Sequence, residues 1–257
     1  MQQDKTLLQA RVIYYHLFSH LFIYQGSLDI HLDIIRILKI LQENSLDEPS
    51  KEASTRLLSK LDPTSNATLI DEYNNIFYNP ETKNVRTTAS FYDEGFESGK
   101  KRVEMQRFLA KTKIRRNEES FSEYEDSFPF IMAILAQLNG LVMEGEEEYV
   151  NTTHCIFDQI LNEFVEVFAK NVYEHKDADI FKDVIIILKS FIGFERLYLN
   201  VATPIPKAPI KKPREEDISD EERERRERNK RLRLEENESP TPAPDTNTVY
   251  DFEDGVD

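Results

Sequence analysis

The chain has 257 residues, 39% of them hydrophobic, and a formal net charge of −15. That is enough apolar content for one buried core with a tail, and the acidic balance argues against general binding to nucleic-acid phosphates while suiting a partner with a basic segment. A single cysteine, Cys155, excludes an intrachain disulfide, and its neighbourhood lacks the further ligands that a zinc site needs.

Apolar residues recur at helical spacing along most of the chain, glycine is scarce at 7 residues, and there is no Asn-Gly or Asp-Gly hairpin signal. An all-α, single globular multi-helix bundle is expected. The first helix runs from about Asp4 to Tyr24, with Leu7, Leu8, Arg11, Tyr15, Phe18 and Phe22 on one stripe, and Gly26 ends it. A second covers about Leu28 to Glu43, and a short one follows Pro49. Asp62-Pro63 reads as an N-cap with proline at the first helical position, opening a helix that carries Tyr73, Ile76 and Phe77 on one face. Residues 79–98 read as a long loop, the kind that is often functional. A helix over about Gly99 to Lys113 follows, then a polar connector containing Arg115-Arg116.

Ser122-Glu123-Tyr124-Glu125 fits a capping box, and Pro129 allows the helix to start at Asp126 or Ser127 instead; it should reach about Met143. Two strong helices, about Glu147 to Tyr173 and Asp177 to Asn200, close the bundle. His154-Cys155 lies in the first of them on what reads as a buried face. Adjacent helical residues point about 100° apart, so the two do not make a nucleophile pair. Composition changes at Ala202. A proline-rich linker, an Arg/Glu run with i, i+4 pairs from Glu221 to Arg231, and a Pro- and Asp-rich end predict a flexible charged tail. The domain division is therefore 1–200 and 201–257.

No apolar run approaches a membrane span, and Met1-Gln2-Gln3-Asp4-Lys5 has no basic region before an apolar stretch, so a soluble, cytoplasmic protein is expected. No glycine-rich phosphate loop, metal cluster or assembled nucleophile is present, so neither cofactor nor catalysis is expected.

Three short motifs remain: Tyr73-Asn74-Asn75-Ile76-Phe77, Ser90-Phe91-Tyr92, and Glu123-Tyr124-Glu125-Asp126-Ser127 before the apolar run Phe128 to Leu135. In order and spacing they resemble the TorD/DmsD/NarJ family of redox-enzyme maturation chaperones, over roughly residues 5–200. Members carry a Tyr-x-x-Leu-Phe type segment, a Ser-x-Tyr in the following loop and a Glu-Pro-x-Asp-His type motif. Here Tyr124 stands for the proline and Ser127 for the histidine, and the chain has no tryptophan.

The resemblance implies a non-catalytic cytoplasmic chaperone, monomer or homodimer. It would bind the twin-arginine signal peptide, or the apo form, of a molybdenum-containing oxidoreductase before export, a formate dehydrogenase-like enzyme among the candidates. Recognition of such a peptide needs carboxylates for guanidinium groups and an apolar groove. Glu123 and Asp126, helped by Glu125, are the expected carboxylates. Tyr73, Phe77, Phe91, Tyr92 and Phe128 are the expected wall, with Ser90 and Ser127 beside them. A second reading of the same residues stands: Ile76, Phe77 and Tyr73 as core, Glu125 as the N3 partner of Ser122, and Asp126 as an N-cap. The alternative function is a helical scaffold whose acidic tail recruits a partner.

Overall fold

The computed structural model describes residues 5–23, 26–117, 121 and 123–205. It is all-α: among the described residues there are helices and two isolated bridges but no β-strand. The helices are α1 (Lys5–Phe22), α2 (Leu28–Glu43), α3 (Glu48–Lys60), α4 (Ala67–Phe77), α5 (Ala89–Glu94), α6 (Lys100–Ala110), α7 (Phe128–Met143), α8 (Val150–Ile156), α9 (Asn162–Tyr173) and α10 (Ile180–Leu199). None is long and apolar enough to cross a membrane. The Ser122 capping box and the tail beyond residue 205 lie outside the described residues.

Local side-chain caps set two of the helix starts. Ser27 caps α2 through its side chain, and Asp47 with Ser50 forms a capping box on α3 with proline in the first turn. Asp62 does not cap α4 as expected. Its carboxylate accepts from the amide and hydroxyl of Thr64 (2.8 and 2.7 Å), which closes a turn and delays the helix to Ala67. The helical run from Glu147 to Tyr173 is continuous but contains a π-turn at Phe157–Leu161, where the Gln159 carbonyl accepts from Lys101 Nζ at 2.7 Å. His154 and Cys155 are half-buried there rather than buried.

The core is built around aromatic rings at helical spacing. α1 packs along α7, and α3 along α10. Phe22, fully buried at the end of α1, meets Phe77 of α4, Phe128 of α7, Phe168 of α9 and Phe181 of α10 at centroid distances of 4.8 to 6.1 Å. Each such ring contributes roughly 1.5–3 kcal/mol by burial. Arg11 sits on the buried stripe of α1 because it has a partner: Nε and Nη2 donate to Glu195 of α10 at 2.6 and 2.8 Å, and the Tyr15 hydroxyl donates to the same carboxylate. Burial alone would lower the Arg11 pKa, but the hydrogen bonds and charge of Glu195 turn the shift upward.

Candidate functional site

The expected site is a junction of four pieces: the end of α4, the segment 78–88, α5, and the turn 123–127 into α7. Two chains cross there. Thr88 and Ser127 form an antiparallel bridge, with the Ala89 amide donating to the Asp126 carbonyl and the Phe128 amide to the Thr87 carbonyl, both at 2.8 Å. The Asp126 carboxylate then accepts the Ser90 amide at 2.8 Å. Thr88 stands at the N-cap of α5 without a side-chain hydrogen bond, so Asp126 caps that helix from across the junction. Residues 79–98 are therefore not one loop: α5 lies inside them, pinned by Asp126.

The other motif residues also hold the fold. The Tyr73 hydroxyl donates to the Phe22 carbonyl (3.2 Å), and burial pushes its pKa up. Ser90 Oγ accepts the Arg102 amide (3.2 Å), joining α5 to α6. The Tyr92 hydroxyl donates to the Arg86 carbonyl (2.8 Å), and its ring stacks on Phe164 at 5.4 Å. Tyr73, Phe77, Ser90, Asp126, Ser127 and Phe128 are all buried, while Phe91, Tyr92 and Glu123 are partly exposed. Of the expected wall, Tyr73 and Phe128 lie in the core, whereas Phe77 and Phe91 border surface cavities. Helical periodicity turns Tyr73 and Phe128 into the core, and the Asp126 carboxylate is buried, with Oδ2 taken by the Ser90 amide and Oδ1 without a hydrogen-bond partner among the described residues.

Glu125 is engaged as well. It accepts from Arg102 Nε (2.6 Å) and Gln106 (3.1 Å), with Arg116 at 3.5 Å. Burial would raise its pKa, but these bonds outweigh it and hold the carboxyl below its ordinary range. Arg116 is thus tucked in at 12% side-chain exposure, not a solvated connector residue. Arg115 folds back onto carbonyls at the end of α6.

Glu123 is the motif carboxylate that faces outward. It borders a cavity of about 200 Å³ whose lining includes Tyr78, Arg86, Thr88, Glu97, Glu123 and Tyr124. The Tyr78 hydroxyl donates to Glu123 at 3.2 Å, and Arg86 pairs with Glu97 at 3.3 Å. Burial raises the Glu123 pKa, the nearby Glu97 charge adds to it, and the Tyr78 hydrogen bond opposes it. Two carboxylates against one guanidinium leave one net negative charge. Thr88 Oγ1, in the same lining, is buried without a hydrogen-bond partner. The cavity offers a cation one charge partner and the Tyr78 ring, while Arg102 already lies over the Tyr124 ring at 4.4 Å. Glu97, Tyr78 and Tyr124 escaped the sequence reading. The signal was adjacency alone: Tyr78 follows Phe77, and Tyr124 follows Glu123.

The family model described as nitrate reductase delta subunit matches residues 43–170, about half of the chain and all three motifs. The chain belongs to that family, the NarJ/TorD type of redox-enzyme maturation chaperone. The resemblance carried by Tyr73, Ser90, Tyr92, Glu123 and Asp126 is thereby met at family level. A crystal structure from Archaeoglobus fulgidus, of a protein assigned to redox enzyme maturation, superposes with a TM-score of 0.47 at 20% identity, covering 72% of this chain and 93% of that one. No curated protein matches. Among the described residues no group of three or more His, Cys, Asp or Glu side chains is arranged to hold a metal.

Proposed function

We propose that this chaperone acts in the cytoplasm on a molybdenum-containing oxidoreductase, and that it recognises a basic N-terminal peptide of the apo-enzyme, of the twin-arginine type, at the cavity between Glu97 and Glu123. The observation that carries the reading is the uncompensated carboxylate at that cavity. Of the three acids in the third motif, Asp126 is fully buried with Oδ2 on the Ser90 amide, Glu125 is paired with Arg102 and Gln106, and Glu123 is the one that lines the cavity, with a second carboxylate in the same lining. A guanidinium placed there restores charge balance and stacks against Tyr78. No catalytic role is assigned to any of these residues.

Isothermal calorimetry with a synthetic peptide carrying two adjacent arginines before an apolar segment tests the reading. Binding by the full chain that is lost when both arginines become glutamine supports it. Equal binding of the two peptides sinks it.

A further inference from the structure

Segment 83–88 has the hydrogen-bonding rhythm of an edge strand. The Val85 amide donates inward to the Ile76 carbonyl at 3.0 Å, the Thr87 carbonyl accepts the Phe128 amide, and the Ala89 amide reaches the Asp126 carbonyl. Every second residue is tied to the body of the protein, the alternation of a β-strand with one edge occupied. Thr88 is itself extended, at φ −88° and ψ 136°. Among the described residues, Asn84 and Arg86, in the opposite phase, make no hydrogen bond through their amides, and neither does the Asn84 carbonyl. The Arg86 carbonyl carries only the Tyr92 hydroxyl, which leaves a lone pair.

A groove of about 540 Å³ borders these groups. Residues 81–86 line one part of it, Asn171, Glu174 and His175 at the end of α9 another, and Phe91 also contributes. The acidic cavity of about 200 Å³ shares Val85 and Arg86 with it. The two cavities therefore meet at one short piece of backbone. An amphipathic helix has no use for free backbone groups and needs a broad apolar floor, whereas Val85 is buried and Phe91 is only partly exposed. An extended peptide uses the free amides directly.

We propose that the client peptide binds by strand addition: its backbone pairs in extended form with Asn84 and Arg86 along this groove, while one cationic side chain reaches the Glu97–Glu123 cavity. This rests on the reading of that cavity as the receptor for a basic peptide, and adds how the backbone is read. Successive side chains of a strand point to opposite faces, so a cation in one cavity places its sequence neighbour on the other side of the edge. Specificity for charge would then lie in the acidic cavity, and sequence-tolerant affinity in the backbone pairs.

Two measurements on the full chain test it, with the same double-arginine peptide as probe. In amide hydrogen exchange followed by NMR, peptide binding should slow exchange at Asn84 and Arg86 by about tenfold or more. In a series of peptides carrying one backbone N-methyl group each, affinity should fall at every second position near the arginines and hold at those between. Calorimetric binding with unchanged exchange at Asn84 and Arg86, and an N-methyl profile without a period of two, overturns strand addition and leaves the charge reading standing. Absence of any binding to the double-arginine peptide overturns both.

Discussion

Two pairs of carboxylates in this protein do opposite work. Glu72 and Asp126 each cap a helix that is remote in sequence. Glu72, on α4, accepts the amides of Asp179, Ile180 and Phe181 at the start of α10, at 2.8 to 2.9 Å, and Asp126 accepts Ser90 at the start of α5. Glu97 and Glu123 both line the cavity, where Arg86 pairs with Glu97 alone. The first pair closes the bundle and the second leaves a charge to be met. Membership of the same motif does not decide the role: Glu123 and Asp126 are three residues apart and end on opposite sides of it.

The sharpest way to break that contrast is at Asp126. Asp126→Ala leaves the buried Ser90 amide without an acceptor and should cost about 2 kcal/mol in urea denaturation, with peptide affinity of the remaining folded protein nearly unchanged. Asp126→Lys should prevent folding, since the site has no room for an unpaired ammonium. A stable Asp126→Ala variant that has lost the peptide would reverse the assignment. Glu72→Ala comes next, at about 2 kcal/mol, because it removes the acceptor of three first-turn amides at a helix N-terminus. Its peptide affinity should not move.

Glu123→Gln tests the other member of the contrast. Stability should stay within about 0.5 kcal/mol, and peptide affinity should drop about tenfold, or about 1.4 kcal/mol, in calorimetry. Glu97→Gln should behave alike, with a smaller loss because Arg86 already compensates that charge. If both glutamines bind as the native chain does, the cavity is not the receptor.

Acidity separates the two functions of Glu123 further. Its pKa is raised in the fold, so the folded state holds the proton more tightly than the unfolded chain. Its contribution to stability is therefore present at low pH and is lost as pH rises through the folded value. Binding of a cation runs the other way, needing the ionised form. Affinity should fall as pH drops into the region just above the ordinary glutamate range, and Glu123→Gln should flatten that part of the profile. A native profile that is flat there points to Glu97 as the charge partner.

The helices were legible in the sequence because their period is local. α2 falls where the spacing of Ile34, Ile35, Leu38 and Leu41 puts it, and Arg11 was visible on the apolar stripe of α1. What escaped depends on contacts far apart in the chain. Asp62 was misread because its side chain closes a turn with Thr64 instead of starting a helix. α5 was missed because a six-residue helix has too few positions to show a period, and its cap comes from Asp126. The motifs located the junction correctly, but sequence spacing has no means of telling a carboxylate that accepts a buried amide from one that faces water. Exposure sorts them, and exposure is a property of the crossing at Thr88 and Ser127.

The smallest expected effect concerns that crossing and the serine that stands in place of the family histidine. Ser127 is the N-cap of α7, a position where serine to alanine usually costs about 1 kcal/mol. Here the hydroxyl makes no cap bond, is fully buried and has no partner among the described residues. Of the first-turn amides, that of Phe128 donates to the Thr87 carbonyl, Pro129 has none to offer, and that of Phe130 makes no bond to the Ser127 side chain. Removing an unpaired buried hydroxyl relieves a desolvation cost instead of breaking a bond. Ser127→Ala should therefore leave stability unchanged or raise it by up to about 1 kcal/mol, against the usual sign for a cap. It should leave peptide affinity alone, since Ser127 does not line the acidic cavity. A loss of stability near 1 kcal/mol would mean that the hydroxyl finds a partner in solution. A loss of affinity with stability intact would extend the receptor inward from Glu123 to the crossing itself.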